Sequence, residues 1–227
     1  MIDESAIDRE SRIPQPHAWN VTPMEARKIQ REWSVRVNLE PLGNPDFHSV
    51  TGLDIHYQGD SAFAAAVTLS LPDLKVTETR RMEARADYPY ISGLLAFREV
   101  PILLSLVERL EKPPEVLLAD GHGTAHPRRF GMACHLGILL DIPTVGVARK
   151  HLWGVHAKPG SIPGDRSWLE DQGQRIGAVL RTRRRVAPVF VSPGHGIDLI
   201  QAVELVMACL QGYRQPEPLR LAGILAG

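Results

Sequence analysis

Apolar positions along this chain follow two different periods. Segments 49–57, 61–71 and 76–85 read as strands, and the breaks Gln58-Gly59-Asp60 and Pro72-Asp73-Leu74 are short enough for hairpins, so the pattern predicts an antiparallel meander. Beyond the meander the period changes. Helical spacing at 102–110, a short buried strand at 116–119, helical spacing at 132–140 and a strand at 144–147 predict parallel strands joined by helices. A further strand is expected at 186–191, then a helix from about 198, with Asp198 as its cap and Leu199, Val203, Val206 and Leu210 on one face. Upstream, Thr22-Pro23-Met24-Glu25 combines an N-cap, a proline at the first helical position and a glutamate at the third, which predicts a helix over 23–37. The polar stretch 1–21, with Pro14 and Pro16, is expected to be a loose arm ahead of a single domain over 22–227. Segment 158–185 mixes Gly, Pro and charge and predicts no defined element.

Three antiparallel strands followed by helix, strand, helix and strand is the order of a ribonuclease H-like core: an α/β fold with a mixed sheet, a meander and then parallel strands, flanked by helices. With 227 residues, 44% of them hydrophobic, the chain has enough apolar surface for one substantial core. Lys plus Arg number 26 and Asp plus Glu number 26, so no global charge marks a polyanion binder and charge has to be read locally. Between Gly121 and Lys158 five basic residues face the single acid Asp141, and five of the nine histidines fall there. Cys134 and Cys209 are too far apart for a zinc-ligand spacing, and the start of the chain has no basic-then-apolar leader. No apolar run approaches the ~20 residues of a bilayer span, so the expectation is a cytoplasmic protein with no membrane partner.

Three acids occupy unusual positions. Asp54 lies inside a strand between Leu53 and Ile55, Glu99 stands at or just before a helix that Pro101 is expected to start, and Asp120 ends the fourth strand. If the first and fourth strands are neighbours, the three converge, and converging carboxylates call for a cation; hard oxygen donors without cysteine favour Mg²⁺, with Mn²⁺ as a substitute. The chemistry such a site serves is phosphoryl transfer, in which one or two ions activate a water and stabilise the leaving oxygen of an in-line displacement. Each acid alone also fits a commoner role: a solvent-facing strand position, a helix-capping acid or an Asx turn.

Other residues gather around these acids. After Asp120 come Gly121-His122-Gly123, suited to close backbone approach, and His126-Pro127-Arg128-Arg129, suited to phosphate. The loop Asp87-Tyr88-Pro89-Tyr90-Ile91-Ser92-Gly93 carries aromatics that fit either a wedge between bases or packing on the protein's own core. His195 follows another predicted strand end and is expected to reach the same crevice, where it would position water or move a proton. The run from Arg181 to Arg185 fits phosphate tracking or, more commonly, a solvated face.

Taken in order, Gly52-Leu53-Asp54, Pro89-Tyr90-Ile91, Gly93 through Glu99, Asp120-Gly121-His122-Gly123, His126-Pro127-Arg128-Arg129, Gly146 through Lys150, Gly194-His195 and the late Gly212-Tyr213-Arg214 resemble the endonuclease V family in its bacterial form. The resemblance spans from about Thr22 to the C-terminus. It implies Mg²⁺-dependent nicking of DNA at deoxyinosine, at the second phosphodiester 3′ to the lesion, leaving 3′-hydroxyl and 5′-phosphate as an act of DNA repair. It also implies that Asp54, Glu99 and Asp120 are metal-binding catalytic acids completed by His195, and that Pro89, Tyr90 and Ile91 wedge the strands apart. Gly93, Leu95, Gly121, Gly131 and Met132 would line the base pocket; His126, Arg128, Arg149 and Lys150 would contact phosphate. Ser92 stands where the family's wedge usually has proline, and the family's Ala-Lys is here Ala148-Arg149, followed by Lys150, so either basic residue could approach the scissile phosphate. A monomer acting on DNA is expected; the alternatives are an inosine-specific endoribonuclease of the same fold and a noncatalytic module that binds inosine DNA.

Overall fold

The computed structural model describes residue 13 and residues 16–43 and 46–227. Helix α1 (Pro23–Ser34) opens on the expected capping box: the Glu25 amide donates to Thr22 Oγ1, and Glu25 Oε2 accepts from the Thr22 amide at 2.8 Å. Strands β1 (Ser49–Gln58), β2 (Ser61–Ser70) and β3 (Val76–Arg85) form the meander. Helix α2 (Leu95–Val107), β4 (Leu117–Ala119), α3 (Met132–Leu140) and β5 (Thr144–Ala148) follow, and β4 pairs in parallel with both β1 and β5. Next come β6 (Arg166–Asp171), β7 (Gln174–Leu180), β8 (Val189–His195), α4 (Leu199–Ala208) and α5 (Glu217–Ala226). All eight strands form one sheet in the order β3-β2-β1-β4-β5-β8-β7-β6.

Side-chain alternation places a separate core on each face of the sheet. On one face Leu53, Leu117, Ala119 and the small residues Ala62, Ala64 and Ala66 pack against Trp33 of α1, Val100 and Leu103 of α2 and Leu136 of α3. On the other, Val50, Leu118, Val145, Val147 and Val191 pack against Val203 and Val206 of α4 and Leu219 and Ala222 of α5. Helix α5 lies close on β1: a Cβ at Gly52 would come within 2.3 Å of the Pro218 carbonyl carbon, so only glycine allows this approach. The charged strand β3 is one edge of the sheet, where alternating Glu and Arg discourage pairing with another chain.

Several parts of the chain differ from the sequence reading, among them helix α5, where no element was expected, and α1, which ends at Ser34 rather than at 37. Helix α2 begins at Leu95, so Pro101 lies inside it and Glu99 sits within the helix rather than before it. Proline there removes the hydrogen bond to the carbonyl four residues back, and burial of Ala96, Phe97 and Val100 outweighs that loss. In the segment without a predicted element, β6 and β7 form a hairpin whose turn residues Gln172 and Gly173 have φ of 52° and 77°, the left-handed pair that suits a two-residue hairpin loop. Strand β8 spans Val189–His195, starting three residues later than the expected 186–191 and running four residues past its end. The described part of the N-terminal arm is not loose: Ile13 and Trp19 pack on the core, and His17 Nε2 lies 2.8 Å from Nε2 of the fully buried His135. Residues 1–12, 14 and 15 of that arm lie outside the described residues. Among the described residues no helix is long and apolar enough to cross a membrane.

Candidate active site

The site begins where parallel pairing ends. Strand β4 stops at Ala119, opposite Leu53, while β1 continues to Gln58, so a crevice opens at the carboxyl ends of these neighbouring strands. Asp120 is the first residue past β4, and its amide donates to the Leu53 carbonyl at 3.2 Å. Asp54 is the next residue of β1 and shares its sheet face with Gly52, the face covered by α5; a Cβ at Gly223 of α5 would lie 2.8 Å from Asp54 Oδ2. Glu99, 8% exposed, arrives from α2 on the opposite face. The three acids line one cleft of about 1140 Å³.

Burial and mutual repulsion disfavour their charged forms. Burial first, and then the Asp120 carboxylate, push the Asp54 pKa up to about 7. Burial, then Asp54 and Asp120, push Glu99 up to about 8. Asp120 is also raised by burial, against the pull of Arg149, whose Nη2 lies 2.8 Å from Asp120 Oδ2. Tyr57 stands beside Glu99 with its buried hydroxyl lacking a well-formed hydrogen bond, and the Arg98 guanidinium stacks 4.4 Å from its ring. Such a set of hard oxygen donors, short of positive charge, suits a divalent cation. Among the described residues no three acidic, His or Cys side chains stand close enough together to close around an ion, and Asp120 is paired with Arg149.

One wall of the cleft is the loop over 86–94. Its two tyrosines part company: Tyr88, 4% exposed, packs with Leu94, Phe97 and Ala26, while Tyr90, 74% exposed, stands at the cleft. Gly93 turns the chain with φ of 77°, and its carbonyl oxygen accepts from three donors: Gln30 Nε2 at 3.0 Å, His126 Nε2 at 2.9 Å and Arg128 Nη2 at 2.8 Å. The Arg128 amide donates to His126 Nδ1, which leaves the ring proton on Nε2, and burial holds the His126 pKa down at about 3. The loop that carries Tyr90 is therefore clamped at its base from α1 and from the segment after β4.

The floor is backbone. Gly131 and Gly146 pack so closely on the Gly121–Gly123 turn that a Cβ on Gly131 would lie 2.2 Å from the His122 carbonyl oxygen, and one on Gly146 2.5 Å from the Gly123 amide nitrogen. Met132 lies over Gly121. On the far wall, His122 Nε2 donates to the Lys150 carbonyl at 3.1 Å, and burial lowers the His122 pKa to about 4. Arg214 donates to the carbonyls of Arg149, Ala187 and Pro188 at 2.8 to 3.0 Å.

Comparison with known proteins shows the family. The family model for endonuclease V matches residues 31–224. The chain belongs to the endonuclease V family. It is 47% identical over 210 residues to the endonuclease V of Methanothrix thermoacetophila, covering 92% of this chain and 93% of that one. Among solved structures, endonuclease V from Streptomyces avermitilis superposes with a TM-score of 0.86 at 41% identity, covering 96% of both chains. Endonuclease V of Ciona intestinalis, solved in complex with a 24mer DNA containing an inosine followed by a ribo-adenosine, superposes with a TM-score of 0.78 at 26% identity, covering 89% of this chain and 95% of that one. Membership makes this chain a nuclease by family, with the mixed sheet and flanking helices of its relatives.

Of the residues expected at the site, the structure gathers Asp54, Glu99, Asp120, Tyr90, Ile91, Gly93, Leu95, Gly121, His126, Gly131, Met132, Arg149 and Lys150 around the cleft. Pro89 is exposed on the same loop but outside the cleft lining. His195 is a correction. Strand β8 runs antiparallel to β5 and pairs His195 with Thr144, the residue at the opposite end of β5 from the crevice. There His195 Nδ1 accepts from the Asn38 amide at 3.3 Å, and Nε2 lies 3.9 Å from Asp141. It stands away from the acids because antiparallel pairing sends the end of β8 to the amino end of β5. His126 and Arg128 are a second correction: their side chains are turned to Gly93, and the Arg128 Nε also donates to Gln30 Oε1 at 2.6 Å, so both position the loop rather than present a free phosphate contact. Sequence reasoning missed Gln30, Tyr57, Arg98 and Arg214 as members of the cleft. For Arg98 and Arg214 the signal was there, in motifs already noted; for Gln30, on an amphipathic helix 63 residues before Gly93, none was.

Proposed function

We propose that this chain nicks DNA containing deoxyinosine at the second phosphodiester 3′ to the lesion, leaving a 3′-hydroxyl and a 5′-phosphate. The observation that carries the reading is the convergence of Asp54, Glu99 and Asp120 at the end of two parallel strands, in a cleft whose wall is the clamped loop bearing Tyr90. Those carboxylates would hold Mg²⁺, or Mn²⁺ in its place, which when bound supplies a water of lowered pKa and positive charge at the phosphate. Their raised pKa values mean that holding a cation displaces protons from Glu99 and Asp54. Arg149, more than half exposed, exchanges Asp120 for the phosphate next to the cut, and Lys150 adds charge beside it. The flipped hypoxanthine enters between Leu95, Met132 and the backbone of Gly93, Gly121 and Gly131, where main-chain groups read its edge. Tyr90 fills the space the base leaves.

The test is strand nicking of a duplex carrying one deoxyinosine, beside an undamaged duplex and an inosine-containing RNA, with Mg²⁺ or with chelator. Metal-dependent nicking one nucleotide beyond the deoxyinosine is expected. Cutting of the RNA alone would make the chain an endoribonuclease, and binding without cutting would make it a recognition module. Tyr90→Ala should weaken binding to a lesion in duplex about tenfold and to one in single strand much less, since a stacking contact contributes about 1–3 kcal/mol and a wedge matters only where a partner strand must be displaced. Equal losses on both substrates in a binding titration would remove the wedge role.

A further inference from the structure

The arginine run at 181–185 lies outside the cleft, yet hydrogen bonds tie it to the acids. From 175 through 197 the chain carries five arginines and no acidic residue. Arg183, Arg184 and Arg185 are exposed in the loop between β7 and β8, and among the described residues none of them makes an ion pair. Arg181, by contrast, is 8% exposed: its Nε donates to the Gly160 carbonyl at 3.1 Å and its Nη1 donates to the Val186 carbonyl. This buried guanidinium fastens the loop before β6 to the loop before β8. Between the two loops runs a second groove of about 470 Å³, lined by Ser161, Arg184 and Arg185.

The loop that carries the arginines is linked to the candidate active site by hydrogen bonds. Thr182 Oγ1 donates to the Arg214 carbonyl at 2.6 Å, Arg214 Nη2 donates to the Arg149 carbonyl at 2.8 Å, and Arg149 meets Asp120. Ala187, two residues after Arg185, lines the cleft itself. A merely solvated charge run would not need a buried guanidinium to fix its loop. Adjacent like charges repel, and holding three of them together beside a groove is favourable when a polyanion covers them.

The geometry points to a phosphodiester-tracking subsite: Arg183, Arg184, Arg185 and Ser161 hold the backbone phosphates of a nucleic-acid strand where it leaves the acid-lined cleft. Arginine forks pair with phosphate oxygens and release counterions from the strand. This inference rests on the nucleic-acid reading of the cleft and extends its footprint.

The test compares the parent with R183Q/R184Q/R185N in chelator, where no cutting intervenes; asparagine is chosen at 185 because that residue has φ of 58°, which asparagine tolerates. Affinity is measured by fluorescence anisotropy across a salt series, on deoxyinosine strands of about 8 and about 24 nucleotides, the first within and the second beyond a single-site footprint. On the long strand the slope of log K against log salt should become shallower by about 2, the value for three lost phosphate contacts on single-stranded DNA, while the short strand is bound as before. The variant R183K/R184K/R185K should keep most of the parent slope. An unchanged slope on the long strand, or equal changes at both lengths, would return the run to solvated surface. Should the triple variant not fold, R183Q/R184Q is read by the same criterion with a slope change of about 1.4. If the parent binds long strands with steep salt dependence but leaves deoxyinosine uncut in Mg²⁺, the cleft reading fails while the subsite stands.

Discussion

Asp54→Asn abolishes strand cutting, by about 10³-fold or more, while raising the melting temperature of the cation-free protein. The two effects have one cause. Asp54 is the strand-borne member of the acid trio, and an amide of the same shape keeps the contact its Oδ1 makes with the Ile55 amide at 2.8 Å but removes the charge that would hold a cation. Loss of a preorganised charge at a phosphoryl-transfer site costs on the order of 10²–10³ in rate, and a metal ligand more. The same substitution relieves the repulsion that pushes Glu99 up, so the fold gains what the reaction loses. Nicking of a deoxyinosine duplex and a melting curve in chelator check both halves, and binding to the lesion in chelator should survive. Substantial Mg²⁺-dependent cutting by Asp54→Asn would sink the metal assignment.

Cation-free stability should peak near pH 6.5 and fall on both sides. Above that pH the acids dominate. Asp54 and Glu99 have folded pKa values of about 7 and about 8 against ordinary values of 3.8 and 4.5, so their contribution is fully present below about pH 4 and is lost as pH rises through 7 and 8. Below pH 6.5 the buried histidines dominate. His126 and His122 are held at about 3 and about 4, and His135 well below its usual value, so their stability is present above 6.5 and lost as pH falls, because each must gain a charge in a buried place. Melting temperatures in chelator at about pH 5, 6.5 and 8.5 should show the maximum in the middle. Saturating Mg²⁺ should restore the pH 8.5 value and leave the pH 5 value nearly unchanged, since binding requires the deprotonated carboxylates. A cation-free protein that grows steadily more stable from pH 6.5 to 8.5 would show that the three acids are not crowded together.

The order of elements from α1 to β5 was legible in the sequence because it rests on local signals. The Thr22 cap, the period-two runs of β1 to β3 and the apolar spacing of α3 depend on neighbours a few residues away, and the structure reproduces each. Asp54 and Asp120 were legible for a related reason: an acid inside or ending an apolar strand conflicts with its surroundings, and such conflicts mark sites. The β6–β7 hairpin was hidden because its turn signal, Gln172-Gly173, sits in a charged segment without clear alternation.

What tertiary structure alone decided is direction and partnership. Whether β8 lies parallel or antiparallel to β5 changes no residue of either strand, yet it sends His195 to the end of the sheet opposite the cleft and Ala187 to the cleft. Tyr88 and Tyr90 are equivalent as letters, and the packing of one against Phe97 leaves the other free. His126 and Arg128 carry the chemistry of phosphate ligands, but the Gly93 carbonyl, far away in sequence, claims both. Residue type and local period reveal which chemistry a chain carries; the long-range pairing of strands and side chains, which no local window contains, decides where each group points and what it meets.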